Sequence, residues 1–277
     1  MNMEKTEKNA IVVLTRGYTN ILQYKTLINR NISISKNLNL VEQETIDILI
    51  FHEGNILQHH QLYISRFTPN LKLFFINIKE YAFKQDKKYI QVYQPTSTFG
   101  LNYRHMCSFW FVDFWNYVEE YNKIIRIDED CIIDFNISEI FCMLQSKVAI
   151  YGMWTKDDDF VTSGLNDFTR VFLKENIPDL NNHYIIKHNP SGPYTNVFCL
   201  NLTQLRDNKL IQKYIKEVKL SNCIYKFRWG DLPLWGEVLF YLCDPSSYIK
   251  TNKIKYFHGS HKVQINQPLK KSTFKKG

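Results

Sequence analysis

Three consecutive acidic residues interrupt an apolar segment near the middle of the chain. Residues 123–133 are Lys-Ile-Ile-Arg-Ile-Asp-Glu-Asp-Cys-Ile-Ile, so Asp128, Glu129 and Asp130 follow a run typical of a buried strand. Adjacent carboxylates repel one another and are costly to remove from water, so a fold that places them there usually supplies a cation. In an extended chain Asp128 and Asp130 point to the same side, and Mg²⁺ or Mn²⁺ prefers such oxygen ligands.

Three interpretations compete for this acidic tripeptide. It could be a solvated strand end, because exposed acids are common on protein surfaces. An EF-hand loop would use Asp128, Asp130 and Glu139, but its required sixth-position glycine is Ile133 here, so we reject it. The third interpretation is an Asp-x-Asp site, in which a metal bridges the acids and the diphosphate of a nucleotide sugar.

Composition and charge restrict the class of protein. The 277 residues can bury a substantial core, and 44% hydrophobic with 15% aromatic residues excludes a disordered chain. The net charge of +8 suits an anionic ligand such as a nucleotide diphosphate, and it equally suits nucleic acid. No segment resembles a nucleic-acid-binding module, so we expect no nucleic-acid partner. Part of the excess charge lies near the C-terminus, in Lys262, Lys270, Lys271, Lys275 and Lys276.

The cysteines and the N-terminus indicate the compartment. The six cysteines are scattered through apolar runs without a Cys-x-x-Cys pair, which predicts buried free thiols and no zinc site. Their even number leaves disulfides open for a secreted protein. Residues 1–9 lack the apolar core of a signal peptide, and no run reaches the roughly 18 apolar residues of a membrane span. We therefore predict a soluble, cytoplasmic protein without a membrane span.

Short apolar runs predict an α/β fold in one domain. Strands are expected at 10–15, 46–51, 71–76, 123–127 and 148–153. Helices are expected at 18–30, 102–122, 136–145 and 234–243. Residues 155–196 should be rich in loops, with a solvated acidic cluster at 157–159. The single domain spans 1–277, with flexible tails at 1–9 and 263–277.

Ligand loops follow the strands of such a sheet at their carboxyl ends. Arg16 follows the first predicted strand and the acidic tripeptide follows the fourth, so we expect them to share one edge.

Four separated segments carry a family pattern. They are Tyr103-Arg104-His105-Met106-Cys107-Ser108-Phe109, Arg126-Ile127-Asp128-Glu129-Asp130, Phe227-Arg228-Trp229-Gly230-Asp231-Leu232-Pro233 and Tyr256-Phe257-His258. In order and spacing they resemble the motifs Tyr-Arg-His-Met-Cys-Arg-Phe, Arg-x-Glu-Pro-Asp, Arg-Trp-Gly-Asp-x-Pro and Tyr-x-His. These motifs belong to the fungal Golgi α-1,2-mannosyltransferase family, glycosyltransferase family 15. The likeness covers residues 10–262.

The resemblance implies a GT-A fold, with a mixed, mostly parallel central sheet flanked by helices that binds a nucleotide sugar. It implies a retaining transfer of mannose from GDP-mannose to a glycan or glycoprotein hydroxyl, with Mn²⁺ or Mg²⁺ as cofactor. The implied metal ligands are Asp128, Asp130 and His258. The implied donor contacts are Arg16, Tyr103, Arg104, Asp128 and Glu129. The implied acceptor contacts are Tyr194, Asn196, Trp229 and Asp231, with Asp231 also the catalytic residue.

Other roles remain open for several of these residues. Tyr103 and Arg104 could pack and pair on a helix, Asp231 could cap the helix that follows it, and His261 rivals His258 as a ligand. The chain could also use another nucleotide sugar, or be an inactive GT-A-like protein that binds glycans or nucleotides.

Two positions depart from the family pattern. Glu129 replaces the family's proline, and Phe198 stands where a Ser-Asn-Phe-Glu segment places glutamate, which leaves the acceptor open. Family members also carry a membrane anchor before a luminal domain. The Golgi lumen is therefore the alternative location if this sequence is a piece of a longer chain.

Overall fold

The computed structural model describes residues 7–266, except for 87, 89 and 178–188. Its strands are β1 (Asn9–Leu14), β2 (Asp47–His52), β3 (Lys72–Asn77), β4 (Lys123–Ile127), β5 (Cys131–Ile133), β6 (Ala149–Tyr151), β7 (Trp154–Lys156), β8 (Ser191–Pro193), β9 (Val197–Asn201), β10 (Tyr248–Lys250), β11 (Tyr256–His258) and β12 (Val263–Ile265). Its α-helices are α1 (Lys25–Lys36), α2 (Leu40–Thr45), α3 (Gln58–Ser65), α4 (Leu101–Ser108), α5 (Ile137–Met143), α6 (Leu165–Asn176), α7 (Leu202–Asp207), α8 (Lys209–Ser221), α9 (Cys223–Phe227) and α10 (Asp231–Leu242).

A seven-stranded sheet in the order β10-β6-β9-β4-β1-β2-β3 forms the centre of the fold. β4, β1, β2 and β3 run parallel, as do β10 and β6, while β9 runs antiparallel to both of its neighbours. The predicted mixed, mostly parallel sheet flanked by helices is therefore confirmed.

Alternate residues of each central strand enter two different cores. In β1, Ala10 and Val12 join the core formed with α4, α6, α8 and α10, whereas Ile11 and Val13 join the core formed with α1, α3 and α5. This period of two, with apolar residues on both faces, explains why the central strands are continuous apolar runs in the sequence.

Two small sheets extend the fold beside the carboxyl end of β4. β11 pairs antiparallel with β5 and β12, and the register places His258 opposite Cys131. β7 pairs with β8, and β8 packs against α10. These pairings bring residues distant in sequence to the end of β4.

Several predicted elements have different bounds. The helix predicted at 18–30 begins at Lys25, after a short 3-10 turn. The helix predicted at 102–122 ends at Ser108 and continues as a π turn over Phe109–Asp113 and a 3-10 turn over Phe114–Tyr117. Bulky aromatic side chains fill this segment on nearly every face, so helical periodicity could not locate the change.

The predicted loop and tails contain regular structure. Residues 155–196 include α6 and the strands β7 and β8. The C-terminal tail predicted from residue 263 begins with β12, which pairs with β11, because Ile265 is buried in the core. The N-terminal tail predicted to residue 9 includes Lys8, whose ammonium lies 2.7 Å from Glu120. Residues 1–6, 178–188 and 267–277 lie outside the described residues.

All six cysteines are free thiols, as predicted, but only Cys107, Cys131 and Cys199 are buried, so the prediction that all six are buried was wrong. Within the described part of the chain, no helix is both long enough and apolar enough to cross a membrane.

Backbone contact between β8 and α10 requires glycine at two positions. A Cβ atom on Gly236 would lie 1.7 Å from the carbonyl oxygen of Ser191, and one on Gly192 would lie 2.0 Å from that of Leu232. Neither carbonyl can move without separating the strand from the helix. We expect Gly236→Ala to lower the free energy of unfolding by about 3 kcal/mol or more. Urea titration measures this loss.

Gly100→Ala is the matched control, because a Cβ atom at Gly100 would meet no atom within 4 Å. Its expected loss is at most about 1 kcal/mol, because Gly100 is the N-cap of α4 and alanine is less favoured there. Equal stability of the two variants would contradict the packing argument.

Candidate active site

The carboxyl ends of β1 and β4 open into a cleft of about 1120 Å³. Its lining includes Arg16 after β1, the acidic tripeptide after β4, His258 of β11 and Asp231 at the start of α10. The sequence prediction that Arg16 and the acids share one edge of the sheet is thus confirmed. The cleft collects charged side chains from four elements that are far apart in sequence.

Asp130 and His258 meet at one side of the cleft because β5 pairs with β11. The Oδ2 atom of Asp130 lies 3.3 Å from Nε2 of His258. The same oxygen accepts hydrogen bonds from the backbone N–H of Ser260, at 2.8 Å, and from the Ser260 hydroxyl. Burial alone would raise the pKa of Asp130, but the hydrogen bonds from His258 and Ser260 hold it well below its usual range. Asp130 is therefore a carboxylate at neutral pH.

The His258 ring is fixed by two residues that the sequence assigned to the acceptor. Its Nδ1 atom lies 2.8 Å from the Tyr194 hydroxyl, and its Nε2 atom lies 3.3 Å from the Asn196 side-chain nitrogen. A partner on Nδ1 orients the ring so that Nε2 faces Asp130. Tyr194 and Asn196 both line the cleft as well, so their role as acceptor contacts stays a prediction.

Asp130 and His258 form a donor set that fits a divalent metal ion. Their oxygen and nitrogen atoms are both ligands that Mn²⁺ accepts. The sulfur of Cys131 also lies within 4.8 Å of both atoms. Burial raises the pKa of the Cys131 thiol. His261 lines the same cleft, with its ring 4.7 Å from that of His258.

The other metal ligand expected from the sequence, Asp128, is paired with Arg126. Its two oxygens accept hydrogen bonds from Nε and Nη2 of Arg126, at 2.7 and 3.0 Å. The Nη1 atom of the same guanidinium contacts Asp231 at 2.5 Å. Arg126 and Asp128 are two residues apart, at the end of β4, and therefore point to the same side. Arg126 belongs to the second family motif, but no sequence signal indicated its role.

Glu129 joins the acidic turn to the loop after β1. It accepts hydrogen bonds from the Thr15 hydroxyl at 2.5 Å and from the Tyr18 hydroxyl at 3.0 Å. Burial raises the pKa of Glu129, and these two hydrogen bonds oppose the shift. The Arg16 guanidinium lies 5.0 Å from the centre of the Tyr18 ring. Glu129 and Arg16 both line the cleft, and their role as donor contacts stays a prediction.

The cleft lining also contains an ion pair, Arg228 with Asp157, that the sequence did not indicate. Arg228 lies 2.6 Å from Asp157 and donates a hydrogen bond of 2.7 Å to the Tyr103 hydroxyl. Its backbone has a φ of 66°, a strained value for a residue other than glycine. Asp157 is therefore ion-paired rather than part of a solvated loop. Arg228 stands inside a quoted motif, whereas the polar surroundings of Asp157 gave no signal.

Two predicted contact residues do not line the cleft. Arg104 is buried and donates to the carbonyl oxygens of Thr96 and Tyr225, at 2.6 and 2.8 Å, so it stabilises the packing of α4 against α9. Trp229 is 1% exposed and its indole N–H donates to the carbonyl oxygen of Ser163. Helix geometry turns Arg104 away from Tyr103, and the turn before α10 directs Trp229 into the core. The interpretation of Arg104 as a packing residue is the correct one.

No model of a protein family matches this sequence, and no curated protein sequence matches it either. The structure is similar to those of solved glycosyltransferases. The mannosyltransferase Ktr4p from S. cerevisiae, one of whose two similar structures is a complex with GDP, is 16% identical with a TM-score of 0.76. The match covers 95% of this chain and 73% of that one.

Core-mannan synthase A from Aspergillus fumigatus, solved in a Mn/GDP form, is 14% identical with a TM-score of 0.73 and covers 91% and 74% of the two chains. Mouse xyloside xylosyltransferase 1 is 15% identical with a TM-score of 0.52, over 88% and 85% of the chains. The expected likeness to the fungal mannosyltransferases is thereby confirmed at the level of the fold, and this chain has the GT-A fold of those enzymes.

Proposed function

We propose that this protein is a metal-dependent, retaining mannosyltransferase that transfers mannose from GDP-mannose to a hydroxyl of a sugar or glycan. The observation that carries the proposal is the meeting of Asp130 and His258 in the same cleft as Asp231, at the carboxyl edge of a GT-A sheet. The solved structures of similar fold include complexes with GDP and with Mn and GDP, which supports the choice of donor and metal. The family resemblance supports α-1,2 linkage.

The proposed contacts with the donor rest on the charges of the side chains that line the cleft. Asp130 and His258 would hold Mn²⁺, which as a Lewis acid would neutralise the charge that develops on the leaving diphosphate. The Arg16 guanidinium can donate charge-assisted hydrogen bonds to phosphate. Glu129 fixes the loop that carries Arg16 through its contacts with Thr15 and Tyr18.

The proposed role of the acceptor side rests on the position of Asp231 and on the identity of residue 198. Asp231 would orient the attacking hydroxyl or accept its proton. Phe198 is 2% exposed and packs edge-on against Trp235, so the position expected for a glutamate nucleophile is apolar. This favours attack from the face of the leaving group over a route through a covalent intermediate at residue 198.

A thermal-shift panel of nucleotide sugars with and without Mn²⁺ tests the donor assignment. A ligand stabilises the folded state by RT ln(1 + [L]/Kd), about 2.7 kcal/mol at 100 times Kd. We expect GDP-mannose with Mn²⁺ to give the largest shift and EDTA to remove most of it. If UDP-sugars shift the melting temperature and GDP-mannose does not, the donor is different and the glycosyltransferase class remains.

An inactive binding protein is the second candidate, because Phe198 replaces the expected glutamate. Mn²⁺-dependent hydrolysis of GDP-mannose separates the two functions, since water can serve as acceptor in an active enzyme. Binding without any hydrolysis or transfer to mannosides would favour the binding protein.

A further inference from the structure

Three aromatic rings form a strip that continues from the cleft lining. The ring centres of Tyr103 and Phe99 are 5.5 Å apart, and those of Phe99 and Phe160 are 6.3 Å apart. Tyr103 lines the cleft; Tyr103 and Phe160 are exposed, and Phe99 is half-buried. Single exposed apolar side chains need no explanation, but a contiguous set beside a polar cleft is typical of a ligand-binding groove.

The aromatic strip is joined to the start of α10 by an ion pair. The guanidinium of Arg228 lies over the two rings nearest the cleft, 4.6 and 4.4 Å from their centres. Its partner Asp157 lies against Gly230, where a Cβ atom would be 3.1 Å from Oδ2 of that carboxylate. Because Gly230 directly precedes Asp231, the strip begins beside the residue proposed to orient the acceptor.

The backbone beneath the aromatic strip is held in place. The carbonyl oxygen of Phe99 accepts a hydrogen bond of 3.3 Å from Nε of the buried Arg104. The 3-10 turn over Gln94–Thr96 packs against the 3-10 turn over Asp159–Val161, which carries Phe160. A surface that is already ordered loses little conformational freedom when a ligand binds to it.

The chemistry of the aromatic strip suits a sugar. The faces of aromatic rings carry partial negative charge and attract the C–H groups on one face of a sugar ring. Asp157 lines the cleft beside the strip and can accept a hydrogen bond from a sugar hydroxyl. Phe160 is two rings removed from the cleft lining, a position that suits a sugar linked to the one that Asp231 would orient.

We propose that the aromatic strip is an extended acceptor subsite, in which the second sugar of an oligosaccharide stacks on Phe99 and Phe160. The preferred acceptor is then a disaccharide or a longer glycan rather than a monosaccharide. This inference rests on the proposed function, since it takes the cleft to be that of a mannosyltransferase.

Initial rates with methyl α-mannoside and with α-1,2-linked mannobiose, at saturating GDP-mannose and Mn²⁺, test the subsite. The KM of mannobiose should be roughly 3–10-fold lower at similar kcat, because stacking away from the reacting atoms contributes binding that is equal in the ground and transition states. Phe160→Ala should raise the KM of mannobiose by about that factor and the KM of methyl α-mannoside by less than about twofold. Phe160→Tyr keeps the ring and should keep the preference.

Phe67→Ala is the matched control. Phe67 is 40% exposed, against 38% for Phe160, and it does not line the cleft. Both variants remove an exposed phenylalanine and should fold, so only the KM of mannobiose should separate them. If the two variants have the same KM for mannobiose, the aromatic strip is not an acceptor subsite.

Failure of the subsite and failure of the proposed function give different results. Equal KM values for the two acceptors, unchanged by Phe160→Ala, would overturn this inference while the proposed function stands. If neither acceptor nor water receives mannose from GDP-mannose, the proposed function fails. Calorimetric titration with mannobiose then decides the inference: binding that Phe160→Ala weakens supports the subsite, and an absence of binding overturns it.

Discussion

Asp130→Asn is expected to lower Mn²⁺-dependent turnover of GDP-mannose by about 10²–10³-fold, equivalent to the several kcal/mol that a Lewis-acid metal supplies. Asparagine keeps the size of the side chain and its hydrogen-bond acceptor for Ser260, but it removes the charge that faces His258. The loss should appear in metal affinity as well as in turnover. Initial rates over a series of Mn²⁺ concentrations measure both.

Asp207→Asn provides the matched control, because Asp207 is an exposed carboxylate at the end of α7 and does not line the cleft. It makes the same change of charge on the protein and should leave the rates unchanged. Retention of full Mn²⁺-dependent activity by Asp130→Asn would remove the central support for the proposed function.

Asp231→Asn is expected to lower transfer to a mannoside acceptor by about 10²–10⁴-fold, the range found for general acid–base residues. The carboxylate lies at the start of α10, 2.5 Å from Arg126, and lines the cleft. Because Asp231 is not among the groups that face the metal, binding of Mn²⁺ and GDP should change little. Turnover and donor affinity are therefore measured separately. A loss of turnover at unchanged donor affinity identifies a role on the acceptor side.

Asp157→Asn is a useful comparison, since Asp157 also lines the cleft and also pairs with an arginine. We expect it to affect the acceptor KM more than turnover, because Asp157 contacts Arg228 rather than the Arg126 cluster. A parallel loss of donor affinity and turnover in Asp231→Asn would instead indicate that Asp231 contacts the donor.

The acidic tripeptide and the apolar strands were predictable because their physical signal is local. Continuous apolar runs are typical of strands buried on both faces, and three carboxylates after such a run indicate a polar edge. The order of the strand runs and the position of Arg16 then placed the cleft. The end of α4 could not be predicted from the sequence. Aromatic residues on every face give no periodicity that would indicate the π turn over Phe109–Asp113.

The sequence could not show which groups the charged residues contact. Arg104 and Arg228 both occur in quoted motifs, yet one supports α4 and the other faces the cleft. Trp229 and Asp231 are two residues apart, yet only Asp231 lines the cleft. These differences depend on how helices pack against the sheet, which no local pattern reports.

By itself the sequence determined an α/β sheet with an acidic edge and a likeness to mannosyltransferases. The tertiary structure decided which partner each of the three acids has. The pairing of β5 with β11 brings His258 close to Asp130. At the end of β4, Asp128 forms an ion pair with Arg126. The reason is physical: the state of a carboxylate depends on charges within a few ångströms, and here most of those charges come from other elements of the chain.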